Sequence, residues 1–272
     1  MKREIIRRHR LSVRITHWIN VAVVGLLLMS GLNIFNAHPS LYWGQAGADF
    51  DRPWLQLTVA SEAGHLAGVT RLAGASVDTT GLLGLSQGAG GHWTVQGFPE
   101  WATLPNRRDL ATARRWHFFL AWLLVANAAA YWLFGLGNGH IRRDIAPTGE
   151  DLAPRNLWRS IVDHARLKHP VGEAAKRYNV LQKLAYLAVI VGFLPAMVLT
   201  GLAMSPGVDA AVPWLVDLFG GRQSARAIHF ISASAIVVFV AVHVIEVFLA
   251  GPINEIRSMI TGRYVVPQEK HR

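Results

Sequence analysis

Four stretches of this chain are apolar enough, for long enough, to cross a bilayer. They cover residues 15–35, 116–134, 184–204 and 228–250. Each is close to the roughly 20 residues a helix needs to span about 30 Å of hydrocarbon. Polar segments alternate with them: 1–14, 36–115, 135–183, 205–227 and 251–272. The pattern predicts an all-α membrane protein, a four-helix transmembrane bundle in one domain (1–272). A long extracytoplasmic loop, 36–115, joins helices 1 and 2. A basic start before an apolar run also describes a signal peptide. Here the run exceeds an h-region and no small-x-small site follows it, so it is read as a retained span. Pro195 predicts a kink in the third run.

The polar segments carry weaker signals. Residues 157–167 predict a short amphipathic helix, and residues 53–60 a short strand or an interfacial piece. The stretch 81–91, GLLGLSQGAGG, reads as loop. The rest of 36–115, with Trp43, Trp54, Trp93 and Trp101, has no clear period. So long an irregular segment points to a binding or capping role. Internal repetition is limited to a loose echo between residues 28–31 and 203–206.

Charge orients the helices. Segments 1–14, 135–183 and 251–272 hold 19 of the 27 Lys and Arg residues. The excess of basic residues places both termini and the 135–183 loop of this multi-pass protein in the cytoplasm. The net charge of +10 therefore belongs to membrane topology. No basic stripe with interleaved aromatics stands apart from the spans, which argues against nucleic acid. Zero cysteines exclude disulfides, iron–sulfur clusters, Cys-ligated zinc and covalently attached haem.

The chemistry lies in four histidines at the edges of the spans: His17, His117, His229 and His243. His229 and His243 are 14 residues apart, which puts them about 40° apart on one helix face and about 21 Å apart along its axis. Topology gives each histidine a depth. His17 and His243 fall on the inner side, His117 and His229 on the outer side, so the four pair without leftovers. Each pair has the makings of bis-imidazole ligation to a b-type haem held between helices. A single histidine at a helix end is more often a metal-free, hydrogen-bonded residue, and it is the pairing that changes the balance. Two-histidine sites without carboxylates are poor zinc sites. Arg114, Arg115 and Arg226 flank the outer pair, and Arg10 and Arg14 the inner one. They suit haem propionates or ordinary snorkelling.

Arg14-Ile-Thr-His17-Trp18, Arg115-Trp-His117 and the His229/His243 helix resemble the bacterial di-haem cytochrome b family. Its members include the membrane subunits of nickel–iron hydrogenases, formate dehydrogenase and thiosulfate reductase. Residues 34–44, IFNAHPSLYWG, are most similar to the thiosulfate-reductase-type branch. The resemblance covers all four spans but not 45–113. It implies an electron-transfer subunit with two haem b groups, linking the quinone pool to a periplasmic oxidoreductase of molybdopterin type docked on the outer loop. By the same resemblance Asn138, Gly139 and His140 belong to a quinone site, although a Gly-Asn-Gly turn that caps a helix explains them equally. Glu246 is either a proton relay or an interfacial carboxylate. His38, His65 and His92 do not join the pairing by depth and read as loop histidines. The alternative function is a self-contained membrane haem oxidoreductase reacting with a small oxidant such as superoxide at the outer haem. A transporter lacks its expected inverted repeat. A homo-oligomer is left open.

Overall fold

The computed structural model describes residues 4–47, 51–62, 64–88, 90–166, 168 and 172–267. Leu167, the end of the expected amphipathic helix, and the basic residues of 1–3 and 268–272 lie outside them. Among the described residues four helical segments are long and apolar enough to cross a membrane: Leu11–Asn36, Leu110–Gly137, Val180–Ala203 and Arg222–Ala250. All four match the apolar runs and, except at the ends of the third and fourth, extend past them, because the backbone ladder continues until a capping group replaces it.

Strand β1 (Ile5–Arg7) leads into α1 (Leu11–Asn36). The segment that follows corrects the all-α expectation. It folds into β2 (Ser40–Leu41), β3 (Leu55–Glu62), β4 (His65–Leu72), β5 (Ala75–Asp78), β6 (Gly84–Gln87) and β7 (Trp93–Gln96). β2 to β5 form one four-stranded antiparallel sheet, and β6 pairs with β7. The piece at 53–60 is a strand, as one of its two readings held, whereas 81–91 contains β6 rather than loop alone. The reason is turn chemistry. Ala73 and Gly74 both take positive φ, and Leu72 pairs directly with Ala75. This is a two-residue hairpin turn whose backbone twist matches that of the strands. The β6–β7 hairpin then approaches the larger sheet so closely that a Cβ on Gly68 would lie 2.4 Å from the carbonyl oxygen of Leu83.

Next come α2 (Leu110–Gly137), a π-helical turn (141–145), α3 (Pro154–Ala165) and α4 (Val180–Leu187). Asp109 caps α2 by accepting the Thr112 amide at 3.0 Å, and Asn179 with Gln182 forms a capping box on α4. α3 lies where the amphipathic helix is expected. The third span continues through a π-helical stretch, Ala188–Phe193, into α5 (Leu194–Ala203). Pro195 has no N–H for the carbonyl four residues back, and the widened turn before it takes the place of a sharp kink. Two short helices, α6 (Pro206–Ala211) and α7 (Trp214–Leu218), precede α8 (Arg222–Ala250). α9 (Pro252–Thr261) and β8 (Arg263–Val265) follow it.

The chain divides into two compact units: residues 21–125 with 196–233, and residues 1–20 with 126–195 and 234–272. The division passes through all four spans. In the first unit the sheet is anchored by Phe35, Leu41 and Leu57, packed with Trp54, Phe98 and Phe230. The Gly44 carbonyl accepts the amides of Gln223 and Ser224, which satisfies orphan donors at the start of α8. Gly221 must be glycine there, because a Cβ would sit 2.6 Å from the Gly44 carbonyl. In the second unit β1 pairs antiparallel with β8, so the polar ends of the chain are tied together. Buried Lys183 donates to Asp151 at 2.8 Å.

Candidate haem-ligand sites

Each unit contains one histidine pair. In the second unit His17 of α1 faces His243 of α8, with ring centroids 6.4 Å apart. In the first unit His117 of α2 faces His229 of α8, with centroids 6.3 Å apart. These are the two pairs that depth predicts. Two imidazole nitrogens on opposite sides of one metal, each bonded at about 2 Å with a ring centroid about 1.1 Å behind, place the centroids about 6 Å apart. Both gaps fit. Among the described residues no group of three or more His, Cys, Asp or Glu could hold a bare metal ion. A two-histidine site therefore needs a metal whose other ligands come with it, as in haem.

The surroundings of the pairs are specific. His117 Nδ1 lies 3.0 Å from Ser30 Oγ, and His229 Nδ1 lies 2.9 Å from Thr200 Oγ1. Glycines follow both hydroxyl residues. A Cβ on Gly31 would meet the His117 ring at 3.4 Å, and one on Gly201 the His229 ring at 3.6 Å. In the second unit His243 stacks on Phe239. His17 Nδ1 and Arg14 Nε are buried with no hydrogen-bond partner among the described residues. Two orphaned polar atoms three residues apart on one helix face are what a missing polar group would satisfy. Asn127, 6% exposed, fixes α2 against α1 beside His17, donating to the Thr16 carbonyl at 2.9 Å and to Asn20 Oδ1 at 2.7 Å.

The arginines differ in how far they are engaged. Arg14 donates to the Ile260 carbonyl. Arg226 donates to the carbonyls of Ser40 and His38 and lies over the Phe35 ring, which ties the first turns of α8 to β2. Arg114 lies over Phe118, and exposed Arg115 donates to Thr112 Oγ1. Asn138, Gly139 and His140 form the turn after α2, with Gly139 at φ +72°. Asn138 Oδ1 accepts the His140 amide at 3.0 Å. His140 is buried, with Nδ1 2.6 Å from Asp144 Oδ2 and its ring edge-on to Tyr131. The turn caps the helix and also holds a buried imidazole against a carboxylate. Glu246 lies 3.4 Å from His164 Nε2. His38 stacks on Tyr42, and His65 and His92 lie in or beside the sheet strands.

Sequence reading missed Ser30, Thr200 and their glycines. The available signal was a hydroxyl-glycine dipeptide recurring inside two apolar runs, which the looser 28–31 and 203–206 echo only partly overlaps.

Four membrane-spanning helices carrying paired imidazoles define a multi-pass membrane haem protein of the electron-transferring kind. The chain belongs to the prokaryotic cytochrome b561 family, whose model matches residues 8–262. It is also 28% identical over 265 residues, 96% of this chain and 100% of the relative, to a protein of Azospira oryzae. That protein is described as a putative protein-methionine-sulfoxide reductase subunit, YedZ1. No solved structure matches the chain.

Proposed function

We propose that this cytochrome holds two haem b groups and carries electrons across a bacterial inner membrane, between the quinone pool and a periplasmic oxidoreductase. His17 and His243 hold the inner haem, His117 and His229 the outer one. Each haem supplies a one-electron couple set by its axial imidazoles and their surroundings. The observation that carries this reading is the pair of matching gaps, 6.4 and 6.3 Å between ring centroids, with one member of each pair on the same helix, α8. The chain's own groups divide the remaining tasks. Arg14, whose Nε has no partner among the described residues, serves an inner propionate, and Arg114 and Arg115 the outer ones. Arg226, already bound to two carbonyls, secures α8.

The partner docks on the folded 36–115 segment. What supports this is its exposed tryptophans, Trp43, Trp93 and Trp101, a residue type enriched at interface hot spots. The relative's description supports a reductase of methionine sulfoxide as that partner. Quinol binds at the Asn138-Gly139-His140 turn, where the His140–Asp144 pair can accept a proton as electrons leave. Both termini are cytoplasmic.

A haem count tests the reading. The purified chain is expected to give two b haems in a pyridine haemochrome assay. His17→Ala and His243→Ala should lose one and the same haem, and His117→Ala and His229→Ala the other. A count of zero or one, or a single haem lost alike in all four variants, rejects it.

A further inference from the structure

We propose that Ser30 and Thr200 are positioning residues that lock His117 and His229 in one tautomer and lower the reduction potential of the haem between them. This rests on the haem-binding reading above and on hydrogen bonds that the reading itself does not use.

The tautomer follows from counting hydrogens. A hydroxyl has one hydrogen to donate and lone pairs with which to accept. Ser30 Oγ lies 3.0 Å from the Leu27 carbonyl, and Thr200 Oγ1 lies 2.5 Å from that of Ala196. A carbonyl oxygen only accepts, and an imidazole that gives a bare Nε2 to a metal keeps its hydrogen on Nδ1, so each hydroxyl gives its hydrogen to the carbonyl. Toward the imidazole Nδ1 it can then only accept. Nδ1 therefore carries the hydrogen in both rings, and Nε2 presents a bare lone pair. That is the form a metal at Nε2 requires. One device recurs on two helices: Ser30-Gly31 on α1 and Thr200-Gly201 on α5, the hydroxyl at Nδ1 and the glycine against the ring.

Among the described residues the other pair lacks it. His17 Nδ1 is buried without a partner among the described residues. The neighbouring hydroxyl, Thr16 Oγ1, turns back to the carbonyls of Ser12 and Val13. His243 packs on Phe239, ring centroids 6.0 Å apart and planes 11° apart. An imidazole whose N–H donates a hydrogen bond carries more electron density on its other nitrogen, which favours the oxidised metal.

Redox titration of the full chain with its haems bound tests this, using Ser30→Ala, the near-isosteric Thr200→Val and the conservative Thr200→Ser. The expected change is about three- to tenfold in the oxidised-to-reduced ratio, about 28–59 mV upward for a one-electron couple. It should fall on the same single transition in Ser30→Ala and Thr200→Val, the one that His229→Ala abolishes, with Thr200→Ser close to the parent. No movement, or equal movement of both transitions, overturns the proposal. A parent with fewer than two haems fails the underlying reading instead, and the haemochrome count reveals that before any titration. If a variant sheds its haem, the unmodified protein decides. Infrared redox difference spectra with ring-15N histidine must show a hydrogen-bonded Nδ1–H for the haem lost in His117→Ala. An Nδ1–H free of any hydrogen bond there also overturns it.

Discussion

Replacing Asn127 by leucine keeps the number and branching of the side-chain heavy atoms and removes two hydrogen bonds between α2 and α1. Asn127 Nδ2 donates to the Thr16 carbonyl and to Asn20 Oδ1, immediately beside His17, the proposed ligand. Interhelical hydrogen bonds in membrane proteins are worth about 0.6 kcal/mol on average and at most about 1.7. Two of them amount to about 1 kcal/mol, with a ceiling of about 3. For a chain of this size each 1 kcal/mol lowers the thermal midpoint by about 2–4 °C. Asn127→Asp should be worse, because it puts a second acceptor against the Thr16 carbonyl and buries a carboxyl group. The assay is heating in detergent while following haem absorbance at the two redox-resolved bands. Asn127→Leu should release the haem of the His17–His243 pair about 2–4 °C earlier and leave the other almost unmoved. An unchanged midpoint, or earlier loss of the His117–His229 haem alone, would refute the reasoning.

Four other outcomes follow from particular contacts. Burial, with Arg8 next in effect, lowers the His9 pKa to about 4. Because the folded state resists protonation there, stability should fall as pH drops from about 6.5 to about 4, by at most about 3 kcal/mol. His9→Gln should flatten a plot of thermal midpoint against pH, and a parent curve already flat between pH 7 and 5 would contradict this. Asp151→Asn should cost about 1–3 kcal/mol by leaving buried Lys183 without its carboxylate. Adding Lys183→Met should restore most of the melting temperature, whereas an additive loss would speak against the pair. Trp101→Ala and Trp93→Ala should raise the partner concentration needed for half-maximal electron transfer about tenfold or more with haem spectra unchanged. Unaltered partner kinetics would move docking elsewhere. His140→Gln should slow haem reduction by a quinol in stopped flow without changing haem content, and parent-like rates would remove that turn from the quinone site.

The four spans and the histidine pairing were legible before any coordinates, for a physical reason. Hydrocarbon forces each crossing segment to satisfy its own backbone, so a span is a local property of about 20 residues. The helical period then makes His229 and His243 share a face whatever surrounds them. Other features were not local. The Ser30–His117 and Thr200–His229 bonds join residues 87 and 29 positions apart, so no window of sequence contains them. The 36–115 strands were short, and several alternate weakly because β5 is exposed throughout. Their existence depends on pairing across turns such as Ala73-Gly74. The start of α8 moved upstream from 228 to Arg222 because a carbonyl at Gly44 caps it.

Sequence by itself thus determined that this chain crosses a membrane four times and which histidines can meet, since periodicity, length and charge asymmetry act along the chain. Tertiary structure decided that the long segment is a folded sheet. It also decided that two hydroxyls hold one imidazole pair while no hydroxyl bonds the other among the described residues, and that Arg226 binds backbone. Hydrogen bonds between distant residues have no signature in either partner alone and exist only once packing has brought donor and acceptor within reach.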